Sequence, residues 1–92
     1  MSFTSPLQDI TVSKGQDVTL TCETSSRDQQ VTWSKNGTEI EHAGSQKYAI
    51  ESVGEKHELI IKNADEQDTG KYTAAVGEEE TTAMLCVEGR YL

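Results

Sequence analysis

Asp68-Thr69-Gly70-Lys71-Tyr72-Thr73-Ala74 is the stretch that decides how this chain folds. An acid and a glycine lead into a run in which Tyr72, Ala74 and Val76 share one face. That is the period-two pattern of a strand with one side buried. Ahead of it, residues 63–68 (Asn-Ala-Asp-Glu-Gln-Asp) carry helix-capping chemistry and predict a corner with one short helical turn. Behind it, residues 77–80 (Gly-Glu-Glu-Glu) predict a tight turn. Residues 81–87 then predict a last strand, with Ala83, Leu85 and Val87 on one face and Met84 and Cys86 on the other.

The same alternation extends upstream. Ile10-Thr11-Val12 predicts a strand, followed by a turn over residues 13–17. In the next run Val18, Leu20 and Cys22 point one way, and Thr19 and Thr21 the other. Residues 23–30 are polar and predict a loop, followed by a strand at residues 31–33 with Val31 and Trp33 inward. Asn36-Gly37 is the strongest short hairpin signal and leads into a short polar strand around Ile40. After a loop at residues 42–46, residues 47–51 and 57–61 predict a hairpin around Gly54. Leu59 and Ile61 are expected inward, Glu58 and Lys62 in water. Eight or nine short, evenly spaced strands without an amphipathic helix define an all-β fold, a two-sheet Greek-key sandwich.

Ninety-two residues make one domain, too small for a large internal cavity. The net charge of −8 argues against nucleic acid and anionic membrane, both of which select basic faces. It suits a solvated acidic surface or a basic protein partner. No run approaches the roughly 18 apolar residues that a membrane helix needs, and residues 1–6 show no apolar core of a secretion signal.

The span from Pro6 to Glu88 resembles an intermediate-set (I-set) immunoglobulin domain. The resemblance rests on Cys22, Trp33, Leu59, Asp68, Gly70 and Tyr72, with Gly15 before the second long strand and Ala83, Leu85 and Val87 closing the fold. It departs at Ala74, where the family carries the second cysteine of its disulfide. Several segments look like I-set modules of giant muscle proteins of the titin, obscurin, obscurin-like and myosin-binding protein C type. These are residues 3–9, 15–20, 33–37, 59–64 and 76–83. The resemblance implies that Trp33 fills the space between sheets about 10 Å apart. It implies that the Tyr72 hydroxyl returns to the backbone of its own corner. Gly70 is expected to allow a backbone conformation that a Cβ would penalise. Asp68 is expected to accept corner hydrogen bonds or to pair with Lys47.

By parity Cys22 points into the core and Cys86 away from it, which disfavours a bond between them. Two free thiols, one of them buried, suit a reducing compartment. Other signals weigh less. Asn36-Gly37-Thr38 fits a glycosylation sequon, but Asn-Gly is first of all a turn requiring positive φ. Glu78-Glu79-Glu80 lacks the six or more oxygens that calcium needs. His42 and His57 lack metal-site spacing and are expected at the surface. Ser25-Ser26-Arg27-Asp28 comes without a nucleophile elbow or a positioned base, and no glycine-rich phosphate loop is present.

The chain is therefore expected to be non-enzymatic, with no cofactor, no metal and no catalytic residue. The expected layout is a lead-in at residues 1–5, the immunoglobulin-like domain at 6–88 and the start of a linker at 89–92. The resemblance implies a cytoplasmic, sarcomeric module that bears force and docks other sarcomeric proteins. Its neighbours would be immunoglobulin or fibronectin type III modules of the same chain, with no nucleic-acid or membrane partner. Strands around Ile10–Val12 and Met84–Val87 would load in shear. An extracellular adhesion or receptor module, and a module regulating an adjacent kinase domain, share the fold and remain open at this point.

Overall fold

Among the described residues nine strands form two sheets, which bury their apolar faces between them. The computed structural model describes residues 3–25, 30–40 and 46–89. The first sheet is ordered β1 (Phe3–Ser5), β3 (Val18–Thr24), β7 (Lys56–Ile61) and β6 (Tyr48–Val53). The second is ordered β2 (Ile10–Ser13), β9 (Glu79–Glu88), β8 (Gly70–Val76), β4 (Thr32–Lys35) and β5 (Thr38–Glu39). Every pairing is antiparallel except that of β2 with β9. The architecture is the all-β two-sheet sandwich that the alternation predicts, in the immunoglobulin-like arrangement that the resemblance implies.

Parity dictates the core. Val18, Leu20 and Cys22 of β3 meet Leu59 and Ile61 of β7 on one side. Trp33, Tyr72, Ala74, Ala83 and Leu85 face them from the other sheet. Burial of each large side chain is worth about 1.5–3 kcal/mol, an upper estimate that chain entropy offsets. Turn chemistry sets the register. Asn36 and Gly37 both adopt positive φ (51° and 87°), as the I′ hairpin between Lys35 and Thr38 requires. The expected helical turn at the corner is a 3-10 turn, Glu66–Asp68, held by a reciprocal capping box between Asp65 and Asp68.

Several expectations are corrected. Phe3–Ser5, expected as lead-in, form β1 and pair with β3, because a backbone beside an open sheet edge gains hydrogen bonds by joining it. The final turn is two residues, Gly77-Glu78, and Glu79 and Glu80 already belong to β9. Gly77 alone has positive φ there (59°), the II′ pattern, which closes the hairpin without a longer loop. Strand β3 runs on to Thr24, so Glu23 and Thr24 are not loop. Strand β4 begins at Thr32, and Val31 packs half-buried beside the core.

His57 is not a surface residue. It is 1% exposed, on the inward face with Leu59 and Ile61. Gly70 does not adopt positive φ; its constraint is contact with Asn36. The expectations for Glu41, His42, the remaining loop residues to Ser45, most of the Ser25–Asp28 stretch and the linker residues 90–92 fall outside the described residues.

Candidate functional site

The two ends of the domain meet in one patch. Strand β2 lies parallel to β9 in the register Ile10↔Leu85, Thr11↔Cys86, Val12↔Val87 and Ser13↔Glu88. Three further ties extend the patch in both directions. Leu7 N donates to Thr81 Oγ1 at 3.0 Å, a buried bond. Met84 N donates to Asp9 Oδ1 at 2.9 Å. Lys14 N donates to the carbonyl of Glu88 at 2.9 Å. Strand β9 is also fastened to the corner, since Val87 N donates to Thr69 Oγ1 at 2.9 Å.

Direction follows from the topology. Strand β2 is entered from the N-terminal side and β9 is left towards the C-terminal side, and the two run parallel. Traction on the two ends therefore pulls them in opposite senses along their common axis. Hydrogen bonds lying across that axis share the load, whereas a hairpin pulled open from its tip breaks bonds in turn.

The corner before β8 anchors the patch. The Tyr72 hydroxyl donates to the carbonyl of Asp68 at 2.7 Å. Burial pushes the Tyr72 phenol above its usual range, with Tyr48 and Asp68 adding to the effect. Asp68 is buried, and its Oδ2 receives both Lys47 Nζ at 2.6 Å and Asp65 N at 2.8 Å. A buried carboxylate held by a cation and a backbone N–H is compensated rather than orphaned. An ideal Cβ on Gly70 would lie 2.9 Å from Asn36 Nδ2 and 3.0 Å from Asn36 Oδ1. The Asn36 Oδ1 in turn accepts from Lys71 N at 3.0 Å, so this amide is built into the fold.

The other residues singled out in the sequence divide by place. Cys22, Trp33, Leu59, Tyr72 and Leu85 share one buried cluster. Trp33 Nε1 has no hydrogen-bond partner among the described residues, so the indole serves as volume. Cys22 is buried and Cys86 exposed. Desolvation, with a smaller push from Glu23, raises the Cys22 thiol to about 11. Sequence reading missed His57, Thr24, Thr81 and Asp9. The parity of His57 with Leu59 and Ile61 could have found the first. The side-chain partners of Asp9 and Thr81 lie 75 and 74 residues away and leave no local signal.

Among the described residues no three His, Cys, Asp or Glu side chains converge to hold a metal. On the outer face of the first sheet Glu51 stands directly across from Glu58, with Lys56 Nζ 3.8 Å from Glu58 Oε2. Like charges opposed in this way are destabilising, by up to about 1 kcal/mol.

Comparison with known proteins gives a consistent picture. The family model for the immunoglobulin I-set domain matches residues 1–87. Cardiac-type myosin-binding protein C of Homo sapiens is 36% identical over 90 residues, covering 98% of this chain and 7% of that protein. Titin of Drosophila melanogaster is 40% identical over 83 residues, covering 90% of this chain and, to the nearest per cent, 0% of that protein. The chain thus spans a small fraction of the curated relatives it matches. The crystal structure of domain I10 from titin superposes with a TM-score of 0.90 at 33% identity, covering 95% of this chain and 97% of that one.

Proposed function

This chain belongs to the immunoglobulin I-set family, and we propose that it serves as a force-bearing spacer and protein-docking module of a sarcomeric protein. The domain is non-enzymatic, as its family is one of structural modules, and its relatives are muscle proteins. The observation that carries the reading is the parallel β2–β9 patch joining the two ends of the fold. Its bonds lie across the direction of pull, and the ties from Leu7, Asp9 and Lys14 lengthen the region that must yield together. Forced unfolding is governed by the unfolding barrier, so such a patch sets mechanical lifetime more than equilibrium stability.

Docking follows from the same architecture. Docking would use the outer sheet faces, where the opposed Glu51 and Glu58 favour a basic partner surface over an acidic one. Muscle relatives and the parity of Cys22 and Cys86 support a cytoplasmic, sarcomeric setting, with further modules of the same protein as neighbours.

Single-molecule pulling on tandem copies of the domain tests the clamp. Asp9→Ala removes the acceptor for Met84 N, and Met84→Pro removes the donor. Both variants are expected to unfold at clearly lower force than the parent, while Val53→Ala at the far hairpin leaves the force unchanged. If Asp9→Ala and Met84→Pro both unfold at the parental force, the clamp does not exist.

A further inference from the structure

His57 sits where two strands depend on it. Its cross-strand neighbours are Cys22 on β3 and Ser52 on β6. Nε2 lies 3.2 Å from Thr24 Oγ1, and Nδ1 lies 2.9 Å from Ser52 Oγ. Thr24 Oγ1 itself donates to the carbonyl of Glu55 at 3.4 Å. With Thr24 acting as donor, Nε2–H donates to Thr24 and Nδ1 accepts from Ser52. The ring thus ties the end of β3 to the tip of the β6–β7 hairpin. Among the described residues strand β6 is the outer strand of its sheet and pairs with β7.

The surroundings favour a neutral ring. In its own sheet β7 is flanked by β3 and β6, which present Cys22, Thr24 and Ser52 on the ring's side; of these only the Cys22 thiol titrates. Across the sandwich the second sheet presents Trp33, Tyr72, Ala74, Ala83 and Leu85 inward, of which only the Tyr72 phenol titrates. Glu23, Glu51, Lys56 and Glu58 alternate to the opposite face, and Glu55 meets Thr24 through its backbone carbonyl. A proton on Nδ1 would add a charge inside the sandwich with no described carboxylate beside it on β3 or β6. It would also turn the acceptor that Ser52 uses into a second donor.

We propose that His57 is an acid-sensitive fastener, which holds the hairpin tip and the Ser52 end of β6 when neutral and releases them when protonated. Desolvation by burial lowers the imidazole from its ordinary 6.5, in the direction the geometry requires. The depressed group binds fewer protons folded than open. Its contribution is therefore complete above about pH 6.5 and is lost as pH falls below it, down to the folded value. The open form gains in population as pH falls from 6.5 to the folded value, by at most about tenfold per pH unit.

The test combines an NMR titration of the His57 ring with hydrogen exchange of the β6 amides at pH 7.5 and 5.5, corrected for intrinsic rates. We expect a ring midpoint below 6.5, a loss of β6 protection at pH 5.5 of up to about tenfold, and protection lower than that of β8 and β9 at both pH values. His57→Gln should make β6 protection indifferent to pH. If that variant does not fold, the parent protein still decides. A midpoint at or above 6.5, β6 protection unchanged by acid, or β6 exchange only in step with β8 and β9 would each overturn the proposal. So would a folded His57→Gln variant that keeps the acid loss.

Discussion

The Tyr72 hydroxyl stands 2.7 Å from the carbonyl oxygen of Asp68, the residue whose carboxylate Lys47 holds at 2.6 Å. One residue thus joins two fasteners, one through its backbone and one through its side chain. Tyr72→Phe keeps the ring and leaves that carbonyl without its donor. Urea unfolding should show a loss of about 1–2 kcal/mol with an unchanged slope. A variant as stable as the parent would show that the bond contributes nothing net.

Gly70 and Asn36 are coupled by space rather than by φ. Gly70→Ala should cost about 1–3 kcal/mol, because its Cβ meets an amide that already holds Lys71 N. Asn36→Gly keeps the positive φ of the turn and removes the obstruction, so the alanine should cost less in that background. A double-mutant cycle reads the difference directly, and strictly additive losses would refute the contact.

Trp33 is 1% exposed between the sheets. Trp33→Ala should cost about 3–5 kcal/mol, comparable to the lower end of a small domain's whole stability of about 5 kcal/mol. Thermal unfolding followed by circular dichroism would reveal a domain largely unfolded at room temperature or melting far lower. A slight shift would mean that the sheets are held chiefly elsewhere.

Cys86 is exposed, while Cys22 is buried with its thiol raised to about 11. Without reductant, a thiol reagent at neutral pH should modify one cysteine in the native protein and two in denaturant, because the buried group is both inaccessible and protonated. Modification of neither in denaturant would reveal a disulfide.

Much of this fold was legible in the chain. Val18, Leu20 and Cys22 declare a buried face by alternation alone, and Asn36-Gly37 declares its turn by conformational preference. Asp68, Gly70 and Tyr72 mark the corner. Even the Lys47–Asp68 pair was within reach, because a buried carboxylate demands a cation and the preceding hairpin offers one. Gly70 was identified for the wrong reason, since only the folded corner brings Asn36 against it.

Most of the strands, the inward faces of their apolar residues and most of the turns follow from residues one to four positions apart, whereas the family resemblance rests on motif residues spread from Cys22 to Tyr72. Everything else depends on the closed sandwich. It alone set Asp9 against Met84 and Leu7 against Thr81, and it alone enclosed His57 between Thr24 and Ser52. Those contacts join strands distant in the chain. Their partners are chosen by strand register, which settles only when both sheets close on a common core.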